Sequence, residues 1–225
     1  MSARASKLVP WVVAVAAVAV ALVPACSTPN VSLATGTRTY TAERYNEVLA
    51  RWTRTAHDYT VQGLDDNIAV TATYESWDFR WAYVVRYASD FRLTTVERSR
   101  LLQTSLESAS HEHEFYVALY TQNRRWGALE RPTSAWRVLL VNDHQMEVPP
   151  SAIEPIARPG ALERAYFPYI TVWRQAFRVR FPTRTWVPGR GEVETLNGST
   201  RFFILRFSGP LGSTDLRWDV DVTES

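Results

Sequence analysis

The second half of this chain is cut into short runs of aromatic and β-branched residues, at 115–120, 136–141, 175–181, 201–207 and 216–222, with Pro, Gly, Asn and Asp between them. Such a cadence predicts antiparallel strands that bury one face against a second layer. Pro149, Pro150, Pro155, Pro168, Pro182 and Pro188 remove backbone donors at intervals that keep helices out of this half.

Two runs carry their own register. In 216–222, Leu216, Trp218, Val220 and Val222 alternate with Arg217, Asp219 and Asp221, as in a strand with one wet face. In 175–181, Phe177, Val179 and Phe181 are expected in the core, with Arg178 and Arg180 facing water or acidic neighbours, because an unpaired buried guanidinium is too costly. Asn197-Gly198, between 193–196 and 201–207, has the composition of a tight hairpin turn. Together these features predict an immunoglobulin-like β-sandwich over residues 111–225, although the Cys, Trp, Cys signature of true immunoglobulin domains is absent.

The preceding region, 39–110, reads as mostly helical. Tyr45, Val48, Leu49, Trp52, Ala56 and Tyr59 recur at three- and four-residue steps, predicting a helix that Thr41 would cap. Residues 68–74 alternate like a half-buried strand. Residues 77–91 fit either period, and a helix capped by Ser76 is favoured. Thr94 and Glu97 form a capping box that opens a further helix to about 108. The expected fold class is therefore α+β, with N-terminal helices and one strand followed by the sandwich.

The first 38 residues have a different purpose. Arg4 and Lys7 precede an apolar run over 8–25 that ends at Cys26, the sole cysteine. This is the layout of a signal peptide. Val23, Ala25 and Cys26 resemble the lipobox of bacterial lipoproteins, with Pro24 departing from the small residue preferred at its position. That resemblance implies removal of residues 1–25 and acylation of Cys26 by diacylglycerol and an N-acyl chain, which gives stable anchoring. It implies a lipid-anchored, periplasm-facing protein of the bacterial cell envelope. Ser27 is similar to the sorting signal that favours the outer over the inner membrane. A retained transmembrane segment and ordinary secretion are the alternatives. Residues 26–38, rich in Ser, Thr, Asn, Gly and Pro, read as the lipidated cysteine and a flexible tether.

Cleavage would remove Arg4 and Lys7 from the 25 Lys+Arg, leaving 23 against 23 Asp+Glu and a net charge of zero. A nucleic-acid partner therefore has no electrostatic support. With Cys26 acylated no thiol remains for a disulfide or a nucleophile.

Few residues suggest chemistry. His111 and His113, in His111-Glu112-His113-Glu114, would share one face of an extended chain, but two ligands do not complete a metal site, and His57 and His144 are distant in sequence. No metal, cofactor or catalytic residue is assigned. There is no G-x-S-x-G serine motif, and Pro188-Gly189-Arg190-Gly191 reads as a turn rather than a phosphate loop. Asp65-Asp66 belong to a loop, and Asp219 and Asp221 are expected to pair with Arg201 or Arg206 across strands rather than to cleave glycosides. Trp52, Trp136 and Trp218 fall at inward positions. Trp126 and Trp186, flanked by Arg124, Arg125, Arg184 and Arg190, are expected to fold back as lids on the core, the alternative being an exposed stacking or cation-π surface for carbohydrate or peptidoglycan. The sequence thus points to a binding or scaffolding module anchored through Cys26, with an envelope protein or the cell wall as its partner. The alternative is a hydrolase or metal-dependent enzyme acting on cell-wall material.

Overall fold

A computed structural model describes residues 28–59 and 66–222. Cys26, the signal segment and Asp65 lie outside them. The protein is mixed α+β, and among the described residues the strand pairs are antiparallel apart from one isolated parallel bridge. In chain order, a 3-10 turn at Ala42–Arg44 leads to α1 (Tyr45–Trp52), β1 (Thr53–Tyr59), β2 (Asp66–Tyr74), α2 (Trp77–Asp90) and α3 (Thr95–His111). Then follow β3 (Glu112–Thr121), β4 (Arg137–Asn142), β5 (Glu147–Val148), β6 (Ala152–Ile156) and α4 (Ala161–Tyr166). The chain closes with β7 (Gln175–Pro182), β8 (Arg184–Val187), β9 (Gly191–Glu194), β10 (Phe202–Gly209) and β11 (Gly212–Asp219).

The strands form a sheet of order β1-β2-β3-β7-β6, a second of order β11-β10-β4-β5, and the ribbon β8-β9. The first sheet takes strands from both sides of residue 111, since β2 pairs with β3 from Ile68↔Thr121 to Tyr74↔Phe115. The strand order is therefore not that of a sandwich closed within 111–225.

The two sheets meet through aromatic rings. Phe203 and Trp218 stack at 5.2 Å, Trp218 lies 5.6 Å from Phe115, and Trp218 Nε1 donates to the Trp52 carbonyl at 3.0 Å. Phe177, Val179 and Phe181 face this core at 1% exposure or less, as their alternation with arginine predicts. Leu216, Trp218 and Val220 are buried too, while Val222 is exposed past the strand's end.

Several local expectations need correction. The first helix stops at Trp52, where Thr53 and Thr55 pair by their hydroxyls with Thr73 and Thr71 at 2.7 and 3.0 Å. Sheet pairing outweighs the helical spacing of Ala56 and Tyr59. The 68–74 strand is buried on both faces, because β2 is an inner strand whose second face is covered around Thr71 and Thr73 by Arg174 and Tyr169. Helices are not confined to the N-terminal region: α4 lies between β6 and β7. Proline excludes only helix interiors, and α4 fits between Pro159 and Pro168, with Gly160 N donating to Glu163 Oε2 at 2.8 Å. Asn197-Gly198 does not join paired strands, since β9 pairs with β8. Asn197 Oδ1 instead accepts from Ser199 N and Oγ. The tight hairpins fall at 188–190, where Gly189 and Gly191 have φ of +79° and +76°, and at 210–211, before Gly212 at +147°.

The other helices follow the sequence closely. Ser76 Oγ accepts from Phe79 N at the start of α2, and Thr94 and Glu97 form the capping box of α3. Within 26–38, expected to be a tether, Val31 docks: it is 1% exposed and exchanges backbone hydrogen bonds with Asp219 and Asp221 along the β11 edge. An apolar side chain and free edge donors outweigh the polar composition around them.

Candidate functional site

The chain passes from α3 into β3 without a loop, Glu112 already being extended at φ −141° and ψ 143°. His111 therefore belongs to the helix and is exposed, while His113 turns into the sheet beside Phe115 at 8% exposure. The two histidines do not share a face as an extended chain would require. His57 lies on β1 and His144 in the turn after β4. Among the described residues no group of three or more His, Cys, Asp or Glu is placed to hold a metal.

His113 Nδ1 lies 2.9 Å from the Tyr74 hydroxyl on the neighbouring strand. Burial pushes the imidazole down to about 4 and holds the Tyr74 phenol well above its ordinary value, so both are neutral at pH 7. One ring nitrogen of a neutral imidazole donates and the other accepts. With Nδ1 engaged by Tyr74, Nε2 is left buried with no hydrogen-bond partner among the described residues. Both residues line a cleft of about 420 Å³. Its walls come from separated parts of the chain: Leu33 of the docked N-terminal segment, Trp77 at the start of α2, Ser110 at the end of α3, and Arg184, Glu194 and Asn197 around the ribbon. This volume admits a small organic ligand, and the polar groups at hand are uncharged donors and acceptors at the floor with one cation and one anion at the rim.

The opposite face of β3 carries a buried ion cluster. Glu114, 4% exposed, meets Arg80 Nη2 at 2.8 Å, Arg178 Nε at 3.0 Å and Arg180 Nε at 3.7 Å. Glu75 reaches the same Arg80 Nη2 at 3.6 Å, and burial pushes its carboxyl up against the pull of that guanidinium. A second buried acid, Asp78, accepts from Trp52 Nε1 at 2.9 Å and from the Tyr40 hydroxyl, pinning α1 and the N-terminal segment to α2. Burial and Asp78 raise the Tyr40 phenol to about 12. These clusters tie helices to the sheet. Sequence reasoning passed over Glu114, Arg80 and Tyr74, though Arg80 follows Phe79 on the side of α2 that the sheet covers.

The carboxylate pairs separate. Asp219 pairs with Arg217 on its own strand at 2.7 Å, Asp221 accepts from Asn30, and Arg206 is held by Asp215 at 2.8 Å rather than by Asp219 or Asp221. The expected pairing of Asp219 and Asp221 with Arg201 or Arg206 is therefore not formed: Arg206 pairs across the strands with Asp215, and Arg201 with Asp143 at 3.4 Å. Trp52, Trp136 and Trp218 are buried as expected, but Trp126 and Trp186 are not lids: they are 39% and 72% exposed, Trp186 because its two-stranded ribbon offers no layer to fold onto. Trp173, which the sequence did not single out, is 75% exposed.

Comparison with protein families finds no matching model. No curated protein matches either. Among solved structures, the chain is similar to a crystal structure from Burkholderia pseudomallei K96243, described as a novel protein of unknown function, with TM-score 0.43 and 14% identity over 84% of this chain and 95% of that one.

Proposed function

We propose that this protein is a lipid-anchored lipoprotein of the bacterial cell envelope, held through Cys26, facing the periplasm and favouring the outer membrane, that binds a small ligand rather than catalysing a reaction. The observation that carries the binding role is the unmet Nε2 of neutral His113 beside a cleft of ligand size. A polar atom buried without a partner costs about 1–3 kcal/mol, and a bound acceptor or donor would recover it. The anchor and the cleft are close in the chain. Val31 docks on β11, and the five residues from Cys26 to Val31 reach at most about 17 Å. Leu33 and Thr35, just beyond, already line the cleft. The ligand would thus be met near the membrane surface.

Gly198 lines the cleft, and a Cβ there would meet nothing within 4 Å. Gly198→Trp should therefore fill the cleft without disturbing the fold. Native mass spectrometry of the full chain isolated from its own envelope should show a bound small molecule that is lost in Gly198→Trp while the melting temperature stays unchanged. An adduct that persists in the filled variant, or no adduct on the wild type, would overturn the assignment.

A further inference from the structure

The buried phenol of Tyr74 hydrogen-bonds to one group among the described residues, His113 Nδ1 at 2.9 Å. A buried hydroxyl proton without an acceptor bears the full cost of desolvation, so Tyr74 donates and Nδ1 accepts. The reverse assignment would strand both the Tyr74 proton and an unprotonated Nε2, whereas this one leaves a single group unmet. The proton of the neutral imidazole is therefore on Nε2, and the floor of the cleft presents an N–H donor that nothing accepts among the described residues. Other donors on the walls are spent inside the protein. Trp77 Nε1 donates to the Gly36 carbonyl at 2.7 Å, Ser110 Oγ to that of Glu107 at 2.7 Å, and Thr183 Oγ1 to that of His111 at 3.1 Å.

The charges around the cleft disfavour an anion. Arg184 is its cation, and the ribbon sets Glu194 directly across from Arg184 while Glu192 reaches the guanidinium at 3.7 Å, two carboxylates against one positive charge. At the floor Tyr74 and His113 are both neutral, and an ionised group buried against them would be costly. An uncharged carbonyl oxygen meets the Nε2–H donor without that cost. Leu33, Ala109 and Leu196 supply apolar wall for the rest of such a molecule, and the Glu194 carboxylate, which forms no ion pair among the described residues, can accept an amide N–H at the rim. We propose that the cleft binds an uncharged amide with a short apolar substituent, its carbonyl oxygen accepting from His113 Nε2; this assignment rests on the binding role proposed above for the same cleft.

The test uses the full chain in detergent with hexanamide, hexanoate and hexylammonium as separate probes of equal length, read by calorimetry and by nitrogen NMR of histidine-labelled protein. Hexanamide should bind saturably, at least tenfold tighter than either charged probe. The free protein should show His113 protonated at Nε2 and not at Nδ1, and the Nε2 resonance should move as hexanamide is added. Gly198→Trp should abolish binding. Tyr74→Phe removes the donor that fixes the tautomer, so the proton should spread over both ring nitrogens and hexanamide should bind at least fivefold more weakly. The proposal is overturned if hexanoate or hexylammonium binds as tightly as hexanamide, if Nδ1 carries the proton in the wild type, or if Gly198→Trp binds hexanamide unchanged. It is also overturned if no probe binds to a chain whose envelope adduct is lost in Gly198→Trp. In that case the cleft is a site for another class of ligand, whereas a wild-type chain without any adduct fails the binding role itself.

Discussion

Nη2 of Arg80 lies 2.8 Å from Oε2 of Glu114, and the two side chains are 7% and 5% exposed. A charge cluster this deep is retained because each charge solvates its neighbours; removing Glu114 leaves Arg80 with Glu75 alone and takes away the 3.0 Å partner of Arg178. Glu114→Ala should therefore cost about 3–5 kcal/mol in urea unfolding, whereas Glu75→Leu, Arg80→Met and Glu114→Leu together should cost clearly less than Glu114→Ala alone. A triple variant as unstable as the single one would show that the cluster contributes through packing and not through charge.

Stability should fall in mildly acidic solution because of His113. Its folded value is about 4 against about 6.5 unfolded, so the unfolded chain takes up its proton first as pH falls. The contribution of the neutral imidazole is complete above pH 6.5 and is lost progressively toward pH 4, on the order of 3 kcal/mol in all. Since carboxylates titrate in the same range, the measurement is the difference between wild type and His113→Gln. That difference should change by this amount between pH 7 and pH 4 and stay flat above pH 7.

Strand β7 separates packing from charge. Phe177→Ala should cost about 3–5 kcal/mol and Val179→Ala about 1–3. Arg178, whose side chain is 41% exposed, nevertheless reaches the buried Glu114 at 3.0 Å, so Arg178→Ala should cost about 1–2 kcal/mol, more than a surface ion pair. An arginine variant that unfolds the protein while Phe177→Ala leaves its melting temperature unchanged would overturn the register.

The proposed anchor is checked by intact mass. Protein from the envelope should begin at Cys26 with added acyl mass, and Cys26→Ala should release the chain or leave an unprocessed precursor. A wild-type N-terminus downstream of Cys26 would exclude lipidation there.

What could be read from the residues alone were features governed by neighbours in the chain. The Ser76 cap and the Thr94–Glu97 box are satisfied within three residues, so both helix starts were legible. The alternation in β7 and β11 was legible because a guanidinium next to a Phe or Trp leaves only one face to bury. The turn at 188–191 follows from glycine's tolerance of positive φ.

Tertiary structure decided everything set by pairing over long separations. Whether Thr53 continues a helix or starts a strand depends on Thr73, and whether residues 28–38 hang free depends on the edge of β11, 191 residues from Asn30 at Asp221. The cleft is likewise beyond the sequence, since it needs Leu33, Tyr74, Ser110, His113 and Asn197 in one place. His113 looked like half of a metal pair because its neighbour two residues back is also histidine. The helix holds His111 outside while the sheet turns His113 inward, and burial next to Tyr74, a non-local property, makes it a neutral hydrogen-bonding group.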